Sequence, residues 1–273
     1  MNPRNSQQNL TIQEQYLRKH KSHHRQISFL RFFLLGIFLL LWEISADVGW
    51  IDSFFFSSPH RVILCLVELW TEQSLPLHIG ITLLETILSF LLVFLVSLLL
   101  STLLWFSRRL SEILEPYLVL LNSLPKSALA PLFIVWLGTG INTIIIAGIS
   151  VAVFGSIISF YTAFHQVDPE KEILIRTLGG NRRDIFFKVV LPGSIPTLLS
   201  TTKVNIGLSL VGVIIGEFLV ARRGLGYLII YGSQVFQLDM VISSILLLCV
   251  IAMLLYLVTQ SLEHYSKKHR SPS

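Results

Sequence analysis

Few side chains in this sequence are equipped for chemistry, and most of those sit among apolar neighbours. Glu85, Lys126, Glu217, Glu43 and Lys203 fall inside or at the edges of long hydrophobic stretches. An ionisable group in such a place is costly unless paired or wetted, so each is a functional candidate by default. Glu85 and Lys126 are positioned for an interior. Lys126 suits either attraction of an anionic solute or pairing between helices. Glu217 and Glu43 lie near outer boundaries, with Glu217 expected to pair with Arg222 or Arg223, and Lys203 is expected to snorkel at an inner boundary. Other chemistry is poorly represented. Cys65 and Cys249 are far apart and outside any ligand-like spacing. The tail segment HKSHHR (20–25) reads as a solvated basic flank rather than a metal site. Nothing matches GxxxxGK[ST], the loop that cradles nucleotide phosphates. The sequence therefore predicts no catalytic residue, no metal and no cofactor held by this chain.

What must position those residues is membrane. Of the 273 residues 53% are hydrophobic and 14% charged, against about a quarter charged in an ordinary soluble domain. About 20 apolar residues cross a bilayer core. Six segments qualify, near 28–46, 79–105, 113–137, 141–164, 197–220 and 239–262. The first is an uncleaved anchor rather than a signal peptide, because no A-x-A site follows it. The third is interrupted by Pro125, Lys126 and Pro131, so it is expected to be buried in protein, where neighbours compensate the broken backbone.

Charge orients the bundle. Arg4, Arg18, Lys19, Lys21, Arg25 and Arg31 precede the first span, and Arg108 and Arg109 follow the second. Lys171, Arg176, Arg182, Arg183 and Lys188 follow the fourth, and Lys267, Lys268 and Arg270 end the chain. These are sixteen of the 21 basic residues, and six spans put all of them on one side. Both termini are then cytoplasmic. The net charge of +5 reflects this bias and predicts no nucleic-acid partner. The expected organisation is a basic tail (1–27), a membrane domain (28–262) with a cytoplasmic loop (165–195), and a short tail (263–273). On the outer side, 58–72 reads as an amphipathic helix with Val62, Leu66 and Leu69 on one face. The glycine-rich 224–234 reads as a turn or re-entrant piece.

The cytoplasmic loop is strongly punctuated. Asp168 and Pro169 open a helix carrying Glu170 and Glu172 in its first turn. Gly179 and Gly180, after Leu178, stop it. Asn181 caps a second helix, with Asp184 at the capping-box position. There Ile185, Phe186 and Val189 share an apolar side and Arg182, Arg183 and Lys188 remain polar. Pro192 and Pro196, after Leu191, are expected to end it. Two capped helices with apolar faces suit a docking surface.

The stretch RTLGGNRRDIFFKVVLP (176–192) resembles the cytoplasmic loop of permease subunits of binding-protein-dependent ABC importers. Arg176, Thr177, Leu178, Gly179, Val189, Leu191 and Pro192 match; the family's Glu-Ala-Ala lead-in is replaced by Ile173, Leu174 and Ile175. LNSLPKSALAPLFIVWLGTG (121–140) and IIGEFLVARRGLGYLI (214–229) are similar to third- and fifth-span signatures of the nitrate, taurine, alkanesulfonate and thiamine-pyrimidine-precursor subfamily. The resemblance covers about residues 55–262. It implies an all-α membrane fold in a multi-pass bacterial inner-membrane protein. The segment near 181–190 would be a coupling helix seated on a separate cytoplasmic ATPase dimer that holds ATP and Mg. The resemblance also implies a second permease copy and an extracellular solute-binding protein. Glu85, Pro125, Lys126, Pro131 and Glu217 become candidates for the translocation path. A secondary transporter would show inverted repeats. A membrane-anchored scaffold using loop 165–195 is the other alternative.

Overall fold

The computed structural model describes residues 27, 30, 33–72 and 74–268. Among them there are helices and no strand. The chain divides into two compact units, residues 1–64 and 65–273.

In the first unit, helix α1 runs through 33–47, and the short α2 (Ser53–Phe56) is capped by Asp52, which accepts from Phe54 N at 2.8 Å. Glu43 accepts from His60 N at 2.9 Å and from Ser58 Oγ at 3.3 Å, satisfying one amide and one hydroxyl at the start of α3 (Pro59–Thr71). Its position near a boundary reflects capping. Helix α3, whose residues from Cys65 on belong to the second unit, is the amphipathic helix expected over 58–72: Val62 and Leu69 are buried and Leu66 partly so.

The second unit is built on α4 (Leu75–Phe106), α7 (Ile141–His165) and α10 (Leu191–Val220). They meet through small residues. Thr82, Thr86, Ser89, Ser97 and Ser101 form the buried stripe of α4 at helical spacing. Ser89 and Ser97 Oγ donate to the carbonyls of Ile145 and Val153 on α7, each at 3.3 Å. A Cβ on Gly212 of α10 would lie 2.7 Å from Gly148 Cα, and one on Gly148 would lie 2.5 Å from Ser89 Oγ. Between helices in lipid, such close backbone approach supplies the packing that water-driven burial supplies in soluble cores. Helices α11 (Leu225–Gln234) and α12 (Leu238–Lys268) pack against this trio around Leu225, Leu228, Met240, Leu248 and Ile251.

Four or five of the expected six spans can be counted among the described residues. Among the described residues four helices are long and apolar enough to cross: α4, α7, the run Arg182–Val220 and α12. A fifth results if α5 (Arg108–Ser123) and α6 (Lys126–Leu137) count as one broken span. The first expected span lies partly outside the described residues, and 33–47 alone is too short. The third bends by 98° between α5 and α6, because Leu124, which precedes Pro125, is held extended (ψ 140°). Its expected burial does not occur within this chain: Val119, Leu120, Val135 and Trp136 are all exposed. Where a turn or re-entrant piece was expected, Leu225–Gln234 form a ten-residue helix with Gly224 as its N-cap.

Pro192 and Pro196 do not end the second loop helix. A π-helical turn at Phe186–Val190 joins α9 (Arg182–Ile185) to α10. Leu191 N bonds back to Phe186 O, five residues earlier. This wider turn accommodates the ring and missing N–H of Pro192, so the helix continues.

Candidate functional site

Two clusters, at opposite ends of the α4–α7–α10 trio, hold the candidate residues. At the loop end, α8 (Pro169–Thr177) starts on Asp168, whose side chain accepts from Glu170 N at 3.0 Å. It stops where Gly179 takes φ 80° and Gly180 N bonds to Ile175 O at 2.9 Å. Asn181 Oδ1 then accepts from Arg183 N and Asp184 N at 2.9 and 3.0 Å, and Asp184 Oδ2 accepts from Asn181 N at 3.0 Å. The reciprocal capping box is complete.

The apolar side expected for docking points the other way. Ile185, Phe186 and Val190 are buried and Val189 is half-buried. Phe186 meets Trp105, Phe106 and Phe164 with ring centroids 5.1, 5.1 and 5.4 Å away. Arg182 donates to Trp105 O at 2.7 Å and lies over that indole ring at 5.2 Å. The loop is therefore clamped onto the ends of α4 and α7. Its outward side carries Leu178 (75% exposed), Phe187 (61%), Ile173 (60%) and Leu174 (57%). Phe187 lay unassigned in the sequence, since adjacent phenylalanines differ by about 100° around a helix and periodicity alone does not orient them.

At the far end, Glu217 is 1% exposed. Its carboxylate accepts from Thr82 Oγ1 at 2.6 Å through Oε1 and from Gly226 N at 2.6 Å through Oε2. Leu225 N donates to Thr82 Oγ1 at 2.9 Å, and Gly224 N donates to His78 Nδ1 at 3.0 Å. The first amides of α11 are thus received by a carboxylate, a hydroxyl and an imidazole from α10 and α4, an arrangement favoured at a helix N-terminus. Gly224 has φ 118°, and a Cβ there would lie 2.4 Å from Glu217 Oε1. Only glycine fits. The expected Glu217 pairing with Arg222 or Arg223 is replaced by this latch, and Thr82 and His78 were missed because they lie some 140 residues away. Glu85 is also buried, and its carboxyl is hydrogen-bonded to that of Glu217.

Lys126 is engaged within its own hairpin. Its ammonium donates to the carbonyls of Leu121, Asn122 at 2.8 Å and Leu124 at 2.9 Å, closing the open end of α5. All three of its donors are engaged. Pro125 precedes α6 as its N-cap and Pro131 lies inside it. Lys203 does not snorkel: it forms an ion pair with the buried Glu263 on α12.

Residues 93–270 match the family described as the inner membrane component of binding-protein-dependent transport systems. A probable ABC transporter permease protein of Haemophilus influenzae is 30% identical over 85% of this chain and 94% of its own length. A formylaminopyrimidine transport permease of Halalkalibacterium halodurans is 26% identical over 72% of this chain and 77% of its own. A putative aliphatic sulfonates transport permease of Bacillus subtilis is 25% identical over 87% and 86%. The fold is similar to one chain in the crystal structure of a bacterial ABC transporter involved in import of the acidic polysaccharide alginate. The TM-score is 0.64 at 16% identity, covering 91% of this chain and 99% of that one. Members of such a family are transport subunits that act with an ATPase and a solute-binding protein. The apolar spans, the capped loop and these matches lead to one assignment: the chain belongs to the family of inner-membrane permease components of binding-protein-dependent ABC importers.

Proposed function

We propose that this permease imports a small sulfonate-, nitrate- or pyrimidine-like solute as one half of a homodimer. ATP, with Mg, is hydrolysed on a separate ATPase dimer, and this chain itself catalyses no reaction. Both termini and loop 165–195 lie in the cytoplasm. The observation that carries this reading is the two-sided loop. Its outward side presents Ile173, Leu174, Leu178 and Phe187, and its inward side is fastened to α4 and α7 through Arg182 and Phe186. A loop built this way passes displacement of a docked partner to the transmembrane trio, the bistable element such a switch needs. The exposed Ile173 and Leu174 occupy the family's Glu-Ala positions, so this docking face is more apolar than the family pattern.

The solute class follows the relatives, two of which are named for formylaminopyrimidine and aliphatic sulfonates. The path runs along α4, α6 and α10: Glu85 contacts solute, while Pro125, Lys126, Pro131 and Glu217 shape the wall. A second copy covers the exposed bend between α5 and α6, because irregular backbone at membrane depth requires protein around it.

The test introduces charge on the docking side. Leu178→Asp with Phe187→Asp is expected to abolish co-purification of the ATPase and ATP-driven uptake, while the permease still inserts and elutes as a single species. Retained uptake would refute the docking assignment. Uptake sustained by an ion gradient without ATP would refute the importer reading itself.

A further inference from the structure

Three polar side chains between α7 and α10 are buried and unbonded. Ser156 is 1% exposed, Asn205 2% and Ser209 0%. Ser156 Oγ, Asn205 Nδ2 and Ser209 Oγ have no hydrogen-bond partner among the described residues. Other hydroxyls on the same two helices are satisfied locally. Ser150, Thr201 and Thr202 each donate to a carbonyl three or four residues back, at 2.8, 3.0 and 2.8 Å. Ser156 and Ser209 do not.

Packing sets all three into one seam. Asn205, Ser209, Gly212 and Gly216 follow one another at helical spacing on the buried side of α10. Cβ atoms on the two glycines would lie 2.7 Å from Gly148 Cα and 2.8 Å from Ile144 Cα, both on α7. Lys203, which reaches Glu263 on α12, is two residues from Asn205 and so points about 200° away around the helix. On α7, Gly148, Ala152 and Ser156 form the matching buried stripe. Ser156 is eight residues after Gly148 and seven before Ala163, whose carbonyl accepts from Ser194 Oγ. That register sets Ser156 opposite 201–204 of α10, within about a turn of Asn205.

A buried donor or acceptor left alone is costly, most of all at membrane depth. Lipid and a second chain do not reach side chains this buried, so the partner is small and lies inside the seam. We propose that the seam binds water, with one or two molecules bridging Asn205 to Ser156 and to Ser209. Asn205 Nδ2 brings two N–H donors for water oxygens, and each serine hydroxyl both donates and accepts. A buried water makes about three such bonds. The two helices are then wet between two dry fastenings, Ser194 on Ala163 and Gly212 on Gly148.

X-ray radiolytic footprinting tests this, because hydroxyl radicals formed at bound water label the buried side chains beside it. The sample is the permease in complex with its ATPase in lipid nanodiscs. Peptides covering 151–158 and 203–211 are expected to be labelled at least fivefold faster than Leu228, which is buried in an apolar cluster. Ser156→Ala with Asn205→Leu and Ser209→Ala removes the polar groups together. That variant is expected to label at the Leu228 rate and to melt no lower than wild type. Wild-type labelling no faster than that of Leu228 overturns the proposal, whether or not the variant folds. A variant that melts lower, from a wild type that is not labelled, shows that the three groups pair directly, which also overturns it. A wild-type melting midpoint raised by Na⁺ or K⁺ over choline at equal ionic strength, and lost in the variant, overturns water in favour of a cation.

Discussion

Glu217→Ala tests the buried latch most directly. The change removes both carboxylate oxygens and leaves Gly226 N–H and Thr82 O–H without their acceptor in a region closed to water. Each unsatisfied buried donor costs about 1–3 kcal/mol, so the local structure loses about 2–6 kcal/mol. Because α11 is held at its start by these bonds, the loss falls on opening of 225–234 rather than on the whole bundle. At about 1.4 kcal/mol per tenfold, the low end corresponds to roughly 30-fold more frequent opening. Glu217→Gln is the graded control. Its carbonyl still accepts from Gly226 N, but its amide faces Thr82 Oγ1 as a donor, so the Thr82 O–H loses its acceptor and one of the two bonds is lost, about 1 kcal/mol at the low end. Hydrogen–deuterium exchange in nanodiscs, read on peptides covering 224–234, measures this. Alanine should raise exchange there by 30-fold or more, glutamine by less than tenfold, and peptides from α7 should not change. Unchanged protection in the alanine variant, or equal loss in both, would refute the capping account.

Two further outcomes follow from packing. Gly212→Val should sharply reduce the yield of folded permease, since its Cβ would meet Gly148 Cα at 2.7 Å, whereas Gly207→Ala, with nothing within 4 Å, should express as wild type; detergent gel filtration reads both. Lys203→Met should destabilise, by at most about 3–5 kcal/mol, by removing the cation that faces the buried Glu263 carboxylate, and Lys203→Met with Glu263→Leu should recover part of it, as thermal aggregation midpoints would show.

The membrane spans were legible because the bilayer demands long apolar runs, and four appeared as continuous helices. The loop's punctuation was equally legible. Asn181 and Asp184 act on amides two or three residues away, and such local chemistry is written in adjacent letters. What escaped depends on residues distant in sequence. The inward direction of Phe186 is set by Trp105 and Phe164. The helix at 225–234 exists because Thr82, His78 and Glu217 receive its first amides and its glycines fit against Glu217. Pro125 announced a break, but its 98° angle and the use of Lys126 to close α5 are properties of the folded chain. The continuity through Pro192 was hidden for another reason: the π turn removes the hydrogen bond that proline would have broken.

That continuity makes the stretch from Arg182 to Val220 one strut of 39 residues, about 58 Å long at 1.5 Å per residue. It begins in the loop and ends one turn beyond Glu217, the acceptor of the latch. Ser194 Oγ ties it to Ala163 O near one end, and Gly212 seats against Gly148 near the other. Held at both places, α7 and α10 cannot slide past each other. If the loop couples to an ATPase as proposed, a push on it arrives at the far end as motion of a stiff pair, with no relay of side chains in between.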